Sequence, residues 1–492
     1  MKTTVRVILT FIFVAVVGGL TLIIYRSYNY LEADQYNAEN VIASDALFVV
    51  KSKRTKDIIN DNELLSLLFP LENEQKIKSL LREIEQFRNQ RLMSHSSFYL
   101  SVHAENEKEV LLVLETSKEH NKSLVSLKKY FQENYSESTF NYKNQIIEVL
   151  KIDNEQFYLW NLQGLLLFTS SEALMRSQIN RFAEKEVISS VMDFTLHEKN
   201  TNTRISLSVQ YHYFLPYLQK IIRQAGGDQN SINLLEPYRW SVFDIEKKNN
   251  HILLSGHTQI NNNSQYALLF SHPNNAMDFL KIMPGNANRI FSFAAENSQE
   301  MNGMKSMFDL SEDVFALMYP ERIITFESQQ DSNSFQYLVI HSGNIDEAAF
   351  HLYNSVGSSF ENNHYLLDTF FIGSSMIGHI NLSNFLLTKF GLNQQLPYLS
   401  YYTLYDDYII FTDSKESICH YVNNLRSNTL FTKSPTYEAI QSLSSDKANL
   451  FYYIDLHSLS NEKGNYLKAL QFQTYMQTDS VFLTNIVMEI TK

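Results

Sequence analysis

LLLFTSSEALMRSQINRF, residues 165–182, decides the fold of this chain, because a closely similar stretch, YIIFTDSKESICHYVNNL, begins at Tyr408. In the first stretch an apolar run leads into serine, then an acidic residue, then apolar positions at helical spacing, and the second stretch parallels it. Ser170 or Ser171 fits the N-cap position of the first helix, and Glu172 suits its positively polarised end. The pattern predicts a strand that leads directly into a helix, present twice in the chain.

Other anchors keep nearly the same spacing and so favour an internal duplication. Phe168 and Phe411 are 243 positions apart, as are Phe48 and Phe291, whereas His212 and His457 are 245 positions apart. Apolar and alternating segments occur in the same order around these anchors. We therefore predict two tandem repeats, at residues 42–272 and 284–492.

The strands of each repeat are predicted to come in hairpins rather than in regular strand–helix–strand alternation. Such an arrangement favours an α+β class over a doubly wound α/β fold. The expected architecture is two tandem homologous units of antiparallel sheet backed by helices. A single N-terminal transmembrane helix is expected to precede them.

Composition limits the function classes that the chain can belong to. The 492 residues carry a net charge of −12, and no stretch supplies the basic face that nucleic-acid binding needs. The single cysteine, Cys419, excludes an intramolecular disulfide and a cysteine-based zinc site. No nucleotide-binding, metalloprotease or nucleophile-elbow motif is present. The sequence therefore predicts no enzyme activity, no cofactor, and neither catalytic nor metal-binding residues.

The amino terminus reads as a membrane anchor. Residues 7–25, VILTFIFVAVVGGLTLIIY, contain no charge, and as a helix they would be roughly 28 Å long, enough to cross a hydrocarbon core. Lys2 and Arg6 favour a cytoplasmic position for residues 1–6, and residues 26–41 read as a polar spacer. A cleaved signal peptide is the alternative for this segment. The expected location is the bacterial inner membrane, single-pass, with the body on the periplasmic side.

Several stretches of the chain resemble a known family. The sequences ASDALFVV, RWSVFDIEKKNNHILLSGHT, MPGNANRIFSF and VFLTNIVMEI, together with the anchor and spacer, are similar to a family of bacterial envelope proteins catalogued only as a domain of unknown function. This resemblance implies an envelope location and a non-enzymatic role. It implies no catalytic residues.

Three functions are weighed on these grounds. The first is a scaffold or interaction module with an envelope protein partner, and the alternative is a carrier of a hydrophobic ligand. The third is an envelope hydrolase that uses carboxylates such as Asp406, Asp407 or Asp455. Asp406 and Asp407 lie between two strand-like runs, so they read as a turn rather than as an acid–base pair.

Overall fold

The computed structural model of the chain describes residues 36–53, 71–89, 96–104, 106–116, 121–190, 205–224, 235–261, 275–294, 320–330, 333–350, 366–382, 399–434, 437–438, 441, 443–455, 467–478 and 481–490. The chain divides into two compact units, Met1–Asp193 and Phe194–Lys492.

The first unit is built on a seven-stranded antiparallel sheet. Its strands are β1 (Ala46–Ser52), β2 (Ser96–His103), β3 (Asn106–Thr116), β4 (Ser136–Tyr142), β5 (Gln145–Ile152), β6 (Glu155–Leu162) and β7 (Leu165–Thr169). Its helices are α1 (Leu71–Asn89), α2 (Asn121–Tyr135) and α3 (Glu172–Glu184). The sheet order is β1-β2-β3-β7-β6-β5-β4, so the chain leaves the sheet after β3 and returns through β4 to β7.

The helices of the first unit pack on the sheet through apolar and aromatic side chains. Ile77 and Leu80 of α1 line a cavity with Phe168 of β7, and the ring of Phe131 from α2 lies 5.2 Å from the ring of Phe168. From α3, the Phe182 ring contacts the indole of Trp160 at 5.6 Å. Burying these large aromatic side chains supplies much of the apolar stabilisation of this unit.

The second unit contains the remaining strands. They are β8 (Ile205–Gln210), β9 (Tyr238–Lys248), β10 (His251–Ile260), β11 (Asn275–Ala276), β12 (Ala287–Ala294), β13 (Pro320–Gln330), β14 (Asn333–Ser342), β15 (Leu366–Ile372), β16 (Ser375–Leu382), β17 (Leu399–Tyr405), β18 (Tyr408–Thr412), β19 (Lys447–Ala448), β20 (Leu450–Asp455), β21 (Leu467–Thr478) and β22 (Val481–Ile490). The second unit also contains helices α4 (Tyr211–Gln224) and α5 (Lys415–Arg426), and residues 345–350 are helical as well. The antiparallel order is β8-β9-β10-β22-β21-β20-β12-β13-β14-β18-β17-β16-β15, and β11 pairs separately with β19.

The strand order of the first unit recurs within the second. The series β12-β13-β14-β18-β17-β16-β15 repeats β1-β2-β3-β7-β6-β5-β4 position by position. An isolated bridge precedes each series, joining Ala43 to Val187 in the first unit and Pro284 to Leu430 in the second. The repeats at 42–272 and 284–492 stay a prediction, and this recurrence supports it.

One part of the sequence alignment is wrong by two residues. The first strand of each series has a register shift, between Ala46 and Phe48 in β1 and between Ala287 and Arg289 in β12. Phe48 therefore corresponds to Arg289 and not to Phe291. Because the two bulges occupy corresponding positions, the offset between the repeats is 241 at this strand and 243 at Phe168 and Phe411.

Two hairpins of the second unit pair about a local twofold axis. Residues 251–259 of β10 pair antiparallel with residues 481–489 of β22. At the centre of this ladder Ser255 pairs with Asn485, and Ser255 Oγ donates to Asn485 Oδ1 at 2.6 Å. Strand β10 is the second strand of the hairpin β9–β10, and β22 is the second strand of the hairpin β21–β22. Their antiparallel pairing therefore relates the two hairpins by a local twofold axis.

The predicted α+β class is wrong, because the structure is mostly antiparallel sheet. In the first unit, strands β4 to β7 follow one another directly, with two residues between each strand and the next. Strand β4, SESTFNY, has the polar composition of a connecting segment, yet it pairs with β5 along its length. Pairing partners distant in the sequence can convert such a segment into a strand, which a local pattern does not reveal.

The membrane anchor is also corrected. Residues 7–25 lie outside the described residues, and no helix in the described ranges is both long and apolar enough to cross a membrane. The nineteen residues of α1 are long enough, but charged side chains recur along that helix. The transmembrane helix, the membrane as a partner and the single-pass inner-membrane location are therefore withdrawn.

Serine caps begin both helices of the opening comparison. Ser171 Oγ accepts from Leu174 N at 3.2 Å, and Ser414 Oγ accepts from Ser417 N at 3.1 Å. The first contact identifies which of the two candidate serines is the N-cap. Each cap satisfies a main-chain donor that the helix itself leaves unpaired.

Replacing either cap should weaken the fold by a similar amount. We expect Ser171→Ala and Ser414→Ala each to lower the free energy of unfolding by about 1 kcal/mol. Urea denaturation followed by circular dichroism measures the loss. Ser126→Ala is the control, since Ser126 lies within α2 and its hydroxyl donates only to Lys122 O. Equal stability of cap and control variants would contradict the capping role.

Candidate functional site

Helix α5 of the second unit separates an apolar face from a polar one. Ile418, Tyr421 and Val422 are buried in the core of this unit. Tyr337 Oη from β14 donates to Ser417 O at 2.9 Å and fixes the helix on the sheet. The polar residues of α5 recur at helical spacing and therefore share the outward side.

This outward side borders an open depression, which we call the α5 depression. It has a volume of about 690 Å³ and is lined by Gln330, Phe335, Glu416, Cys419, His420, Asn423, Asn424, Arg426 and Ser427. Gln330 ends β13 and Phe335 lies near the start of β14, and the other residues come from α5 and its C-cap. The depression thus lies between helix α5 and the adjoining ends of strands β13 and β14.

The imidazole of His420 is the most constrained group of the α5 depression. It stacks on the ring of Phe335 with centroids 4.7 Å apart and an interplanar angle of 27°. The amide nitrogens of Asn424 and Asn286 lie 3.1 Å and 3.3 Å from His420 Nε2. Because an amide NH₂ only donates, His420 Nε2 is placed to accept.

Electrostatics agree with a neutral His420. Burial lowers the pKa of the imidazole, and the charge of Glu416 opposes this shift only in part. A neutral ring that receives amide donors is suited to binding. It is less suited to acid–base exchange, because its acceptor nitrogen is already occupied.

The remaining groups of the depression are also suited to hydrogen bonding. Glu416, Asn423 and Arg426 are exposed, while Cys419 is half-buried. Cys419 and His420 are consecutive in the helix, so their side chains point about 100° apart. The thiol is therefore not directed at the imidazole as a nucleophile would be at its base.

An exposed hairpin adjoins this surface through Arg426. Gly373, in the turn between β15 and β16, has a φ of 62°, and a Cβ atom there would lie 2.8 Å from Arg426 Cζ. Phe371 and Met376 pair across the hairpin and are 68% and 41% exposed. A polar depression and an exposed apolar pair therefore occur close to one helix end.

In the first unit, Ser101, His103 and Asp45 form a hydrogen-bonded chain. Ser101 Oγ lies 2.9 Å from His103 Nε2, and His103 Nδ1 lies 2.9 Å from Asp45 Oδ1. A hydrolytic triad has the same order of groups. All three residues are at most 2% exposed, so no substrate reaches the serine. We interpret the chain as a structural link between β2 and the segment that precedes β1.

The carboxylates considered for a hydrolase do not come together. Asp406 and Asp407 form the turn between β17 and β18, whereas Asp455 ends β20. The sheet order places β12, β13 and β14 between β20 and β18, a separation of about 19 Å at the usual strand spacing. In the described ranges, no group of three His, Cys, Asp or Glu side chains could hold a metal ion.

Sequence reasoning missed the α5 depression. It considered Cys419 only for disulfide and zinc chemistry and assigned no role to the polar positions around it. A usable signal was present, because Glu416, His420, Asn423 and Ser427 recur every three or four residues beside the apolar stripe. The position of β13 and β14 beside α5 could not be predicted, since it depends on the pairing of β14 with β18.

Comparisons with known proteins leave the function open. No protein family and no curated protein matches the chain. Among solved structures, crystal form I of TP0453 aligns with a TM-score of 0.27 at 11% identity, over 46% of this chain and 80% of TP0453. Crystal form III aligns with a TM-score of 0.26 at 13% identity, over 49% and 88%. A likeness this low carries no argument about fold or function.

Proposed function

We propose that this chain is a non-enzymatic interaction module that binds a polypeptide segment in the α5 depression. The observation that carries the proposal is the depression itself, an open volume of about 690 Å³ beside a polar helix face. Its amides, carboxylate and guanidinium match the donors and acceptors of a peptide backbone. The ring of Phe335 supplies an apolar contact next to them.

The carrier alternative receives no support from the apolar cavity of the first unit. That cavity lies between α1 and the sheet and has a volume of about 20 Å³. Such a space holds roughly one water molecule and no acyl chain. The hydrolase alternative lacks an accessible catalytic arrangement among the described residues.

Selection from a displayed library of short random peptides tests the proposal. We expect wild-type protein to select peptides whose affinity falls by about tenfold or more when Cys419 carries a bulky maleimide, because the adduct fills the depression. Fluorescence polarisation of labelled peptides measures the change. Cys419 is the only cysteine of the chain, so the reagent reports on this place alone.

The matched control is Cys419→Ser protein treated with the same maleimide, which should bind the selected peptides as untreated protein does. Binding that survives alkylation of Cys419 would place the peptide elsewhere. Failure to select any peptide would contradict the interaction role itself.

A further inference from the structure

Strand β15 lies at one end of the sheet order among the described strands of the second unit. Within the described ranges it pairs with β16 alone, through a two-residue turn flanked by Ile372 and Ser375. In such a hairpin the main-chain groups of Thr369 and Phe371 point away from the partner strand. The hydrogen bond from Thr369 N to Asp368 Oδ1, at 2.8 Å, agrees with this direction. The edge therefore offers donors and acceptors to a further strand.

We propose that two copies of this chain associate through antiparallel pairing of their β15 edges, with the twofold axis at Thr369. This inference goes beyond the proposed peptide binding and uses a different surface. Thr369 is the middle residue of Leu366–Ile372, so pairing centred there places each residue of the strand opposite a counterpart, with the register shift between Leu366 and Asp368 at the end of each copy. Each Thr369 exchanges its N–H and C=O with Thr369 of the second copy.

Charge complementarity favours this register and favours a second copy of the chain as the partner strand. Centring on Thr369 places Asp368 directly opposite Phe370 of the second copy. The Nζ atom of Lys415 lies 4.6 Å from the centroid of the Phe370 ring. Directly opposed residues have Cβ atoms about 5 Å apart, so the Asp368 carboxylate reaches Lys415 of the second copy. The symmetry forms this ion pair twice.

Neighbouring registers lose this advantage. Centring on Phe370 would bring the two Phe370 rings face to face and set the two Lys415 ammonium groups beside each other, which is repulsive. Centring on Phe371 would shorten the paired segment. In the proposed register the Asp368 carboxylate gives up its hydrogen bond from Thr369 N and pairs with Lys415 of the second copy. The exposed side chain of Phe371 then lies beside the main chain of the second copy.

Sedimentation velocity on the full chain tests the proposal through a charge reversal. We expect wild-type protein to sediment as a dimer at micromolar concentration. Asp368→Lys and Lys415→Asp should each weaken the dimer by about tenfold or more, because each creates two like-charge contacts. The double variant Asp368→Lys/Lys415→Asp should restore the dimer to near the wild-type dissociation constant.

Glu137→Lys on β4, the corresponding edge of the first unit, is the matched control and should leave the dimer unchanged. Circular dichroism checks that each variant is folded. Lys415 is the exposed first residue of α5, where aspartate favours the helix, so this variant keeps the test valid even if Asp368→Lys fails to fold. A monomeric wild type, or a double variant no better than the single ones, would overturn the proposal.

Discussion

Replacing Arg322 by alanine is expected to lower the free energy of unfolding by about 3 kcal/mol, from the unpaired acceptors and the cavity that the change leaves behind. Arg322 lies on β13 and is only 2% exposed. Its Nη1 donates to Ser292 Oγ at 2.8 Å, and its Nη2 donates to Asn275 O at 3.2 Å and to Ala448 O at 2.6 Å. Because Asn275 and Ala448 are paired between β11 and β19, the guanidinium joins this small ladder to the main sheet.

Burial of the charge offsets part of this stabilisation. Burial lowers the pKa of the Arg322 guanidinium to about 10, so the charged form is less favourable in the folded chain than in water. Replacing Arg322 by alanine removes the cost of burying the charge, but it also removes three hydrogen bonds. The loss of these hydrogen bonds is the larger effect on stability. Arg322→Lys should recover little of the loss, because a single ammonium does not reproduce the planar fork.

Urea denaturation followed by circular dichroism measures these differences. Arg239→Ala is the control, since Arg239 is an exposed arginine on strand β9 and its replacement should change stability by less than about 0.5 kcal/mol. A double-mutant cycle of Arg322→Ala with Ser292→Ala isolates the contact between the two side chains. A loss at Arg322 as small as that at Arg239 would show that the guanidinium does not hold the ladder.

Arg322 also illustrates what the sequence could not predict. In the run ERIITFES an arginine among alternating residues reads as the solvent side of a strand. The structure buries it, because β11 and β19 come from distant parts of the chain and cover that position. Alternation predicts which residues share a face of a strand. It does not predict which other segments of the chain cover that face.

Local features were better predicted than the pairing of strands. The serine cap at Ser171 and the turn at Asp406 and Asp407 depend on neighbours within a few residues, and the structure contains both. The pairing of β3 with β7 spans a long stretch of sequence, and no local pattern encodes it. The candidate site has the same dependence, since the α5 depression needs both a predicted helix and the pairing of β14 with β18, which no local pattern predicts.

The last prediction concerns the buried chain of Ser101, His103 and Asp45. Burial opposes ionisation of Asp45, but the hydrogen bond from His103 and the charges of His103 and Arg181 outweigh it and hold the Asp45 pKa below its ordinary value. Since the ionised carboxylate only accepts, His103 Nδ1 is the donor. Asp45 also accepts from the end of β2 through its main chain, as Ala104 N donates to Asp45 O at 3.0 Å.

We expect Asp45→Asn to lower the free energy of unfolding by about 2–3 kcal/mol at neutral pH, since it removes one charge from a buried hydrogen-bonded pair. The asparagine side chain itself should fit at position 45. The two isolated bridges align Asp45 with Asn286, which occupies the corresponding position before β12.

The pH dependence follows from the direction of the shift. A carboxyl group whose pKa is lower in the folded chain binds fewer protons there than in the unfolded chain. Its stabilisation is complete above the ordinary carboxyl range and is lost as the pH falls through that range, about pH 4, toward the folded value. The difference between wild type and Asp45→Asn should therefore shrink steadily below about pH 5.

Urea denaturation at a series of pH values between neutral and about pH 3 measures this convergence. Glu133→Gln is the matched control, because Glu133 pairs with Lys129 on the surface of α2 with its side chain 62% exposed. Its effect should stay below about 0.5 kcal/mol throughout. A stability difference at Asp45 that stays constant with pH would mean that shape, rather than ionised hydrogen bonding with His103, holds the segment before β1 against the sheet.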